Sequence, residues 1–389
     1  MKSFKHRIPA MRIYQGEDSM EQLSQELDRL KIRRAVIMCG ATLGRGGPPL
    51  DLVRGAVGER LAGVYAGVRP HSPVPAVQEA AGELERMGAD AVISFGGGSA
   101  MVTARAADIL RAEKDDPRNL CTRPGGNGKH ISPRLMAPKL PQFVIPTTPT
   151  TAAVKAGSAV LDPDVGERLP LFDPQTRARA IFIHPDLIAT PSRELFVSAG
   201  VNTLALAIEG LLSRSGDPLS DAHLMHAVRL LAQRLSDLVA HDELPVRADL
   251  VMASVLAGHG SDYTGAGIAI PLGHAIGAKH HIDMGITDAI VMPPVLRFNA
   301  DAASAGIGKL FAALGLVPAA GVAPVTAVVE TLNALFRQLG IPARLRDVGV
   351  SRESLRELAE VSINDWYMAN NPRPVKDVQD LVGLLEEAW

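Results

Sequence analysis

Two rhythms divide the chain. Up to about residue 190, short runs rich in Val, Ile and Phe end at Gly or Pro and lead into helix-compatible sequence: RAVIMCG (34–40), DAVISFGGGS (90–99), PQFVIPTTPTT (141–151) and ARAIFIHPDL (178–187). Apolar runs without alternation, separated by helices, are what a parallel sheet buried on both faces requires. Beyond about residue 190 the apolar period lengthens to that of a helix, in SRELFVSAGVNTLALAIEGLLS, DAHLMHAVRLLAQRLSDLVA and the segments at 322–340 and 351–389, with Asp, Ser or Pro near their starts. The pattern predicts an α/β domain with a parallel sheet over 1–190, then an all-α domain over 191–389, with a cleft between them. Between the second and third apolar runs, residues 122–142 are dense in Gly and Pro and read as a long surface loop.

Length supports this division, because 389 residues exceed what one core commonly holds. A net charge of −2 gives no basic field for nucleic acid, and no long charge block marks a tail. Two cysteines, Cys39 and Cys121, with no CxxC, fit a reducing compartment and argue against a thiolate metal site. The N-terminus lacks an uninterrupted apolar stretch, and no later segment is expected to span a membrane, so a cytoplasmic protein acting on a small molecule is expected.

Candidate chemistry collects at strand ends. Gly96, Gly97, Gly98 and Ser99 stand between an apolar run and a helix, where the backbone can approach a ligand and free N–H groups can meet a phosphate. The same triplet also serves a tight turn. Thr147, Thr148, Thr150 and Thr151 follow the next run, again where ligands of open parallel sheets collect. In the second half, VNTLALAIEG (201–210) has the apolar spacing of a buried helix with a lone amide, Asn202, near its start, and AGHGSDYTGAG (257–267) sets His259, Asp262 and Tyr263 close together. These three either line a pocket or form a solvated helix end.

The order of motifs resembles the iron-containing (group III) alcohol dehydrogenase family. RIYQG, GADAVISFGGGSA, VIPTTPTTAAV, HPDLIATPSRELFVSAGVNTLALAIEG, PLGHAIGAKHHIDMGITDAIVMPPVLRFNA and NNPRPVKDVQDLVGLLEEAW carry the likeness across nearly the whole chain. The resemblance implies a Rossmann-like N-terminal domain, a helical C-terminal domain in the arrangement shared with dehydroquinate synthase, a nicotinamide cofactor (NAD or NADP) and a homodimer. It places Gly97, Gly98 and Ser99 at the pyrophosphate, and Thr147, Thr151 and Leu187 along the cofactor. Gly40 stands where many NAD-preferring relatives carry an acid on the ribose, which leaves room for a 2′-phosphate. Val102, Arg105 and Val154 replace the Asp, Lys and Glu common in relatives.

The family's metal ligands, an Asp and a His four residues apart and two later histidines, correspond to Asn202, Leu206, Ile270 and Met284. An amide, two aliphatic chains and a thioether are poor ligands for iron or zinc, so no metal is expected. His274 is the surviving histidine of the family's HxxxH helix and is the expected proton donor or acceptor, with Asn202, Tyr263 or Lys155 as helpers; its alternative is a core histidine. His280, His281 and Asp283 are the one local cluster with ligand chemistry. Arg297 and Arg373 are candidates to meet an anionic substrate, and NNPRP reads as a structural signature. Three functions compete. The first is a metal-independent NAD(P)-dependent oxidoreductase, for which maleylacetate reductases offer a metal-free precedent. The second is a repurposed lyase or isomerase in the same cleft, and the third is a catalytically dead binding protein.

Overall fold

The computed structural model describes residues 3–125 and 130–389; the tip of the Gly/Pro-rich loop expected at 122–142 lies outside the described residues. The chain divides into two units. One runs from Ile8 to Pro191, and the other holds Ser192–Trp389 together with the N-terminal stretch through Arg7.

In the first unit, β1 (Arg12–Gln15) leads through α1 (Ser19–Arg29) to β2 (Ala35–Gly40), then α2 (Ala41–Gly44), α3 (Pro48–Val57), β3 (Leu61–Val68), α4 (Val74–Arg86), β4 (Ala91–Gly96) and α5 (Gly98–Glu113). The short α6 (Pro117–Leu120), β5 (Arg123–Pro124) and β6 (His130–Ile131) precede β7 (Gln142–Pro146). A hairpin, β8 (Gly157–Asp162) and β9 (Glu167–Phe172), leads to β10 (Ala178–Ile183) and α7 (Pro185–Ile188). Six strands form a parallel sheet in the order β1-β10-β7-β4-β2-β3. The order reverses beside β2, which pairs with β3 on one side and β4 on the other, and such switch points are where open α/β sheets bind ligands.

Alternation puts Ile37, Cys39, Ile93, Phe95 and Phe143 on one buried face with α1 and α3, and Val36, Met38 and Val92 on the other with α4 and α5. Both faces are covered, which is why the strands read as continuous apolar runs. β3, LAGVYAGV, was not expected from the pattern: two glycines and partial exposure along its length weaken the strand signal. Cys39 is a core thiol whose pKa burial pushes up to about 11. Before β7, Lys139, whose side chain is wholly buried, pairs with Glu113 at 2.6 Å and Asp173 at 2.9 Å, so the segment is anchored there.

The second unit is helical throughout its C-terminal part: α8 (Arg193–Leu212), α9 (Pro218–Ala240), α10 (Leu244–Thr264), α11 (Ala269–His280), α12 (Met284–Asn299), α13 (Ser304–Ala313), α14 (Pro324–Gln338), α15 (Leu355–Ser362) and α16 (Val378–Ala388). Ser192 caps α8 by accepting from the Leu195 N–H, and Asp217 caps α9 through Leu219 and Ser220. Against expectation, α8 has the length and hydropathy of a membrane span, but 83% of its apolar window is buried inside the protein, as befits a core helix. Glu209 belongs to the same helix. Its carboxylate accepts from the N–H groups of Gly267 at 2.9 Å, Ala269 at 2.6 Å and Ile270 at 3.2 Å, so one helix caps the start of another.

Candidate active site

In the α/β unit the site begins at the carboxyl end of β4. Gly96 adopts φ +139°, a conformation that favours glycine, and the chain enters α5 at Gly98. A Cβ on Gly97 would lie 3.2 Å from Thr148 Oγ1, and one on Gly98 would lie 2.9 Å from Thr150 Oγ1. The glycine turn and the threonine loop are therefore in contact, and the Thr147 N–H donates to Gly96 O at 3.0 Å. Gly97, Gly98 and Ser99 remain partly exposed at the amino end of a sixteen-residue helix, where unpaired N–H groups and the dipole favour a phosphate. Gly40 ends β2 and precedes α2, next to β4 across the switch point.

Three residues make this arrangement rigid, and the pattern gave no hint of how. The Arg105 guanidinium on α5, buried, donates to Ala152 O at 2.5 Å, Gly157 O at 2.9 Å and Ser158 Oγ at 3.2 Å. It thereby ties the helix of the glycine turn to both ends of the segment after the threonines. Ser72 donates to Ser99 O at 3.2 Å and accepts from Thr103 Oγ1 at 3.0 Å, and it does so from a left-handed conformation shared with His71. Thr150 caps the turn that starts at Thr151. Leu187 is fully buried in the sheet core, with its N–H donating to His184 O and its carbonyl accepting from Thr190.

In the helical unit, His274 on α11 faces Asp365: Nδ1 lies 3.3 Å from Asp365 Oδ2, while Asp365 Oδ1 accepts from the Tyr367 N–H at 2.9 Å. The carboxylate is thus held by the backbone it caps and in turn fixes the imidazole, whose ring lies near Trp366. Burial pushes the Tyr367 hydroxyl pKa up.

The four positions matching the family's metal ligands offer a different chemistry. Asn202 Nδ2 donates to Asp288 Oδ2 at 2.6 Å, Leu206 and Ile270 are buried aliphatic side chains, and Met284 begins α12. These groups do not fit iron or zinc: the amide nitrogen is engaged by a carboxyl and the set holds no imidazole or carboxylate of its own. Asp288 is wholly buried, with Oδ1 making no hydrogen bond among the described residues, and burial raises its pKa well above the usual carboxylate range. Neither Asp288 nor Asp365 was singled out from sequence; the available signal for the first was a lone acid in the apolar run GITDAIVMPP.

The other expected residues separate. Tyr263 is committed elsewhere: its hydroxyl accepts from the Arg7 N–H at 2.7 Å and donates to the Arg7 carbonyl, while its ring stacks on His6 at 4.0 Å. It holds the N-terminal stretch and is not free for a substrate. His259 packs near His223, and Asp262 lies two residues from the end of α10. Lys155 follows the threonine loop in the other unit. His280 meets Ser354, while His281 and Asp283 are exposed, and no three His, Cys, Asp or Glu among the described residues are grouped to hold an ion. Arg297 pairs with Glu387, with Nε 2.6 Å from Oε1, and Arg373 lies over the Phe298 ring at 3.9 Å, so both candidate anion contacts have structural partners. In NNPRP, Asn371 is buried and exchanges two amide hydrogen bonds with Asn299.

A parallel sheet whose glycine turn feeds a helix, followed by a helical unit, defines a nucleotide-binding two-part enzyme fold. Residues 9–185 match the family model described as iron-containing alcohol dehydrogenase, and residues 196–389 match the C-terminal model of the same family. The chain belongs to the iron-containing alcohol dehydrogenase family. It is 30% identical to lactaldehyde reductase of Escherichia coli K12 over 381 residues, covering 96% of this chain and 97% of the relative. Among solved structures, an alcohol dehydrogenase from Oenococcus oeni superposes with TM-score 0.90 at 21% identity over 100% of both chains. Sulfoacetaldehyde reductase from Bifidobacterium kashiwanohense, in complex with NAD+, gives 0.85 at 20% identity over 100% of this chain and 99% of that one.

Proposed function

We propose that the protein is an NAD(P)-dependent oxidoreductase that interconverts a small aldehyde and its alcohol without a metal ion, with His274 as the proton donor and acceptor. The observation that carries this reading is the pairing of an intact glycine turn and threonine loop with metal positions rebuilt as Asn202, Leu206, Ile270 and Met284. Family membership and the lactaldehyde reductase relative support the substrate class. The bound nicotinamide would supply or take the hydride. The backbone N–H groups of Gly98 and Ser99 would hold the pyrophosphate, and Thr147 and Thr151 the adjoining portion. His274, oriented through Nδ1 by Asp365, would give its proton to the oxygen of the reduced carbonyl and recover it in the reverse direction. Gly40 at the ribose position admits either cofactor, so both are tested. The two buried free cysteines support a reducing compartment, and the family supports a homodimer.

The deciding measurement is thermal stabilisation and fluorescence enhancement with NADH and NADPH, followed by turnover of short aldehydes after dialysis against a chelator. Binding of one nucleotide, turnover that survives the chelator, and well under one iron or zinc per chain by elemental analysis are expected. Near-stoichiometric metal whose removal abolishes turnover overturns the metal-free reading. A chain that binds neither nucleotide is not a hydride-transfer enzyme, and the acid–base alternative then takes its place. His274→Ala should lower kcat about a hundredfold or more while nucleotide affinity stays the same; unchanged kcat returns this histidine to a packing role.

A further inference from the structure

The hydrogen bond between Asn202 and Asp288 decides which end of the Asn202 amide is offered to a ligand. Asp288 lies wholly buried on α12, and its Oδ2 accepts from Asn202 Nδ2 at 2.6 Å. Its other oxygen is pressed against α11 at Gly273, where any Cβ would overlap it, and makes no hydrogen bond among the described residues. The carboxyl is therefore wedged between two helices and has no room to turn. Asn202 is only partly buried, and the bond to Asp288 is the one its side chain makes among the described residues. An amide has a donor end and an acceptor end, so fixing Nδ2 on α12 turns Oδ1 away from it. One turn along the same face of α8 stands Leu206, which presents only aliphatic surface. The result is a single fixed acceptor beside an aliphatic side chain, and ligand sites orient what they bind through a small number of such polar groups.

We infer that Asn202 Oδ1 accepts a hydrogen bond from a hydroxyl of the substrate, and that Asp288 is the positioning residue that holds the amide in this orientation. The site then favours hydroxyaldehydes, and the matching diols, over plain aldehydes of equal length. A polar group built to meet a substrate hydroxyl discriminates strongly against the analogue lacking it, because the acceptor is otherwise left without its partner. The inference rests on the reading of α8, α11 and α12 as the reaction site. It also gives Asn202 a role different from that of an oxyanion donor, since its donor end faces Asp288.

The test compares kcat/KM for glycolaldehyde and acetaldehyde, two-carbon aldehydes differing by one hydroxyl, with whichever reduced nucleotide the protein binds. The wild type should favour glycolaldehyde by about tenfold or more. Asn202→Leu should bring the ratio close to one, with a larger loss for glycolaldehyde than for acetaldehyde. Asp288→Ala, which removes the acceptor of Nδ2 and so lets the amide turn, should lower the ratio severalfold. Nucleotide affinity should be unchanged in both, which certifies the fold. A wild-type ratio near one, or a ratio preserved in either variant, overturns the inference. If the wild type reduces neither aldehyde, the hydride-transfer reading falls by itself, and side-chain amide resonances of 15N-labelled protein decide the pair: an Asn202 signal shifted and slow to exchange in the wild type and released in Asp288→Ala supports it, and identical spectra sink it.

Discussion

Single residues here repay attention where a polar group sits in an apolar run. Glu209 is the clearest: wholly buried, its pKa is raised by burial to about 7 despite three N–H donors that oppose the shift. A carboxyl whose folded pKa exceeds its unfolded value binds its proton more tightly in the native state. Its favourable contribution is therefore complete below the unfolded value of 4.5 and is lost as pH rises through 7. The span corresponds to about 3 kcal/mol at most. Glu209→Gln should flatten the fall in Tm between pH 5 and 7 relative to the wild type, as read by calorimetry at matched ionic strength; parallel curves for the two proteins would place its ionisation outside this window. Asp217 works in the opposite sense at lower pH. Contacts from His6 and the first turn of α9 outweigh its burial and hold its pKa down at about 2. The sequence displayed Glu209 as a lone charge in VNTLALAIEG, but its partners at 267–270 are nearly sixty residues away, and no local pattern links the two.

At the scale of elements, the legible part of the chain was what periodicity controls. Four of the six sheet strands stood out because both their faces are buried, whereas β1 is an exposed edge and β3 is diluted by glycine, so neither shows the same signal. The helices after Pro191 stood out for the complementary reason, their apolar spacing. The braces between elements were not legible, since a buried arginine looks like any other in the sequence. Arg105 joins α5 to the threonine loop through three carbonyl and hydroxyl acceptors, a fork that Lys cannot reproduce. Arg105→Lys should weaken nucleotide binding about tenfold, while kcat at saturating nucleotide stays near the wild-type value. Ser158→Ala, which removes one acceptor and leaves the arginine, should give a smaller loss in the same direction. Fluorescence titration with NADH or NADPH separates this from simple destabilisation, in which Tm falls and affinity holds.

At the scale of the whole molecule, the chain crosses between its two units twice, after Arg7 and after Pro191. Ile8 to Pro191 is one contiguous piece, whereas the helical unit is assembled from two. The short N-terminal piece is held by His6 Nδ1 at 3.1 Å from Asp217 Oδ2, by the stack of His6 on Tyr263, and by Arg7 on the tyrosine hydroxyl. Expressed alone, residues 8–191 should fold cooperatively and bind NADH or NADPH, with binding detected as a shift in melting temperature; failure to bind would mean that the glycine turn needs the helical unit to be competent. A fragment beginning at Ser192 faces a different fate, for it lacks the strand of chain that covers Tyr263 and supplies the partner of Asp217. The α/β unit is in effect an insert within the helical one. A circular permutant that opens the chain between Arg7 and Ile8 and joins Trp389 to Met1 by a linker would keep His6 and Arg7 covalently attached to the helices they contact, leaving the chain a single crossing at Pro191.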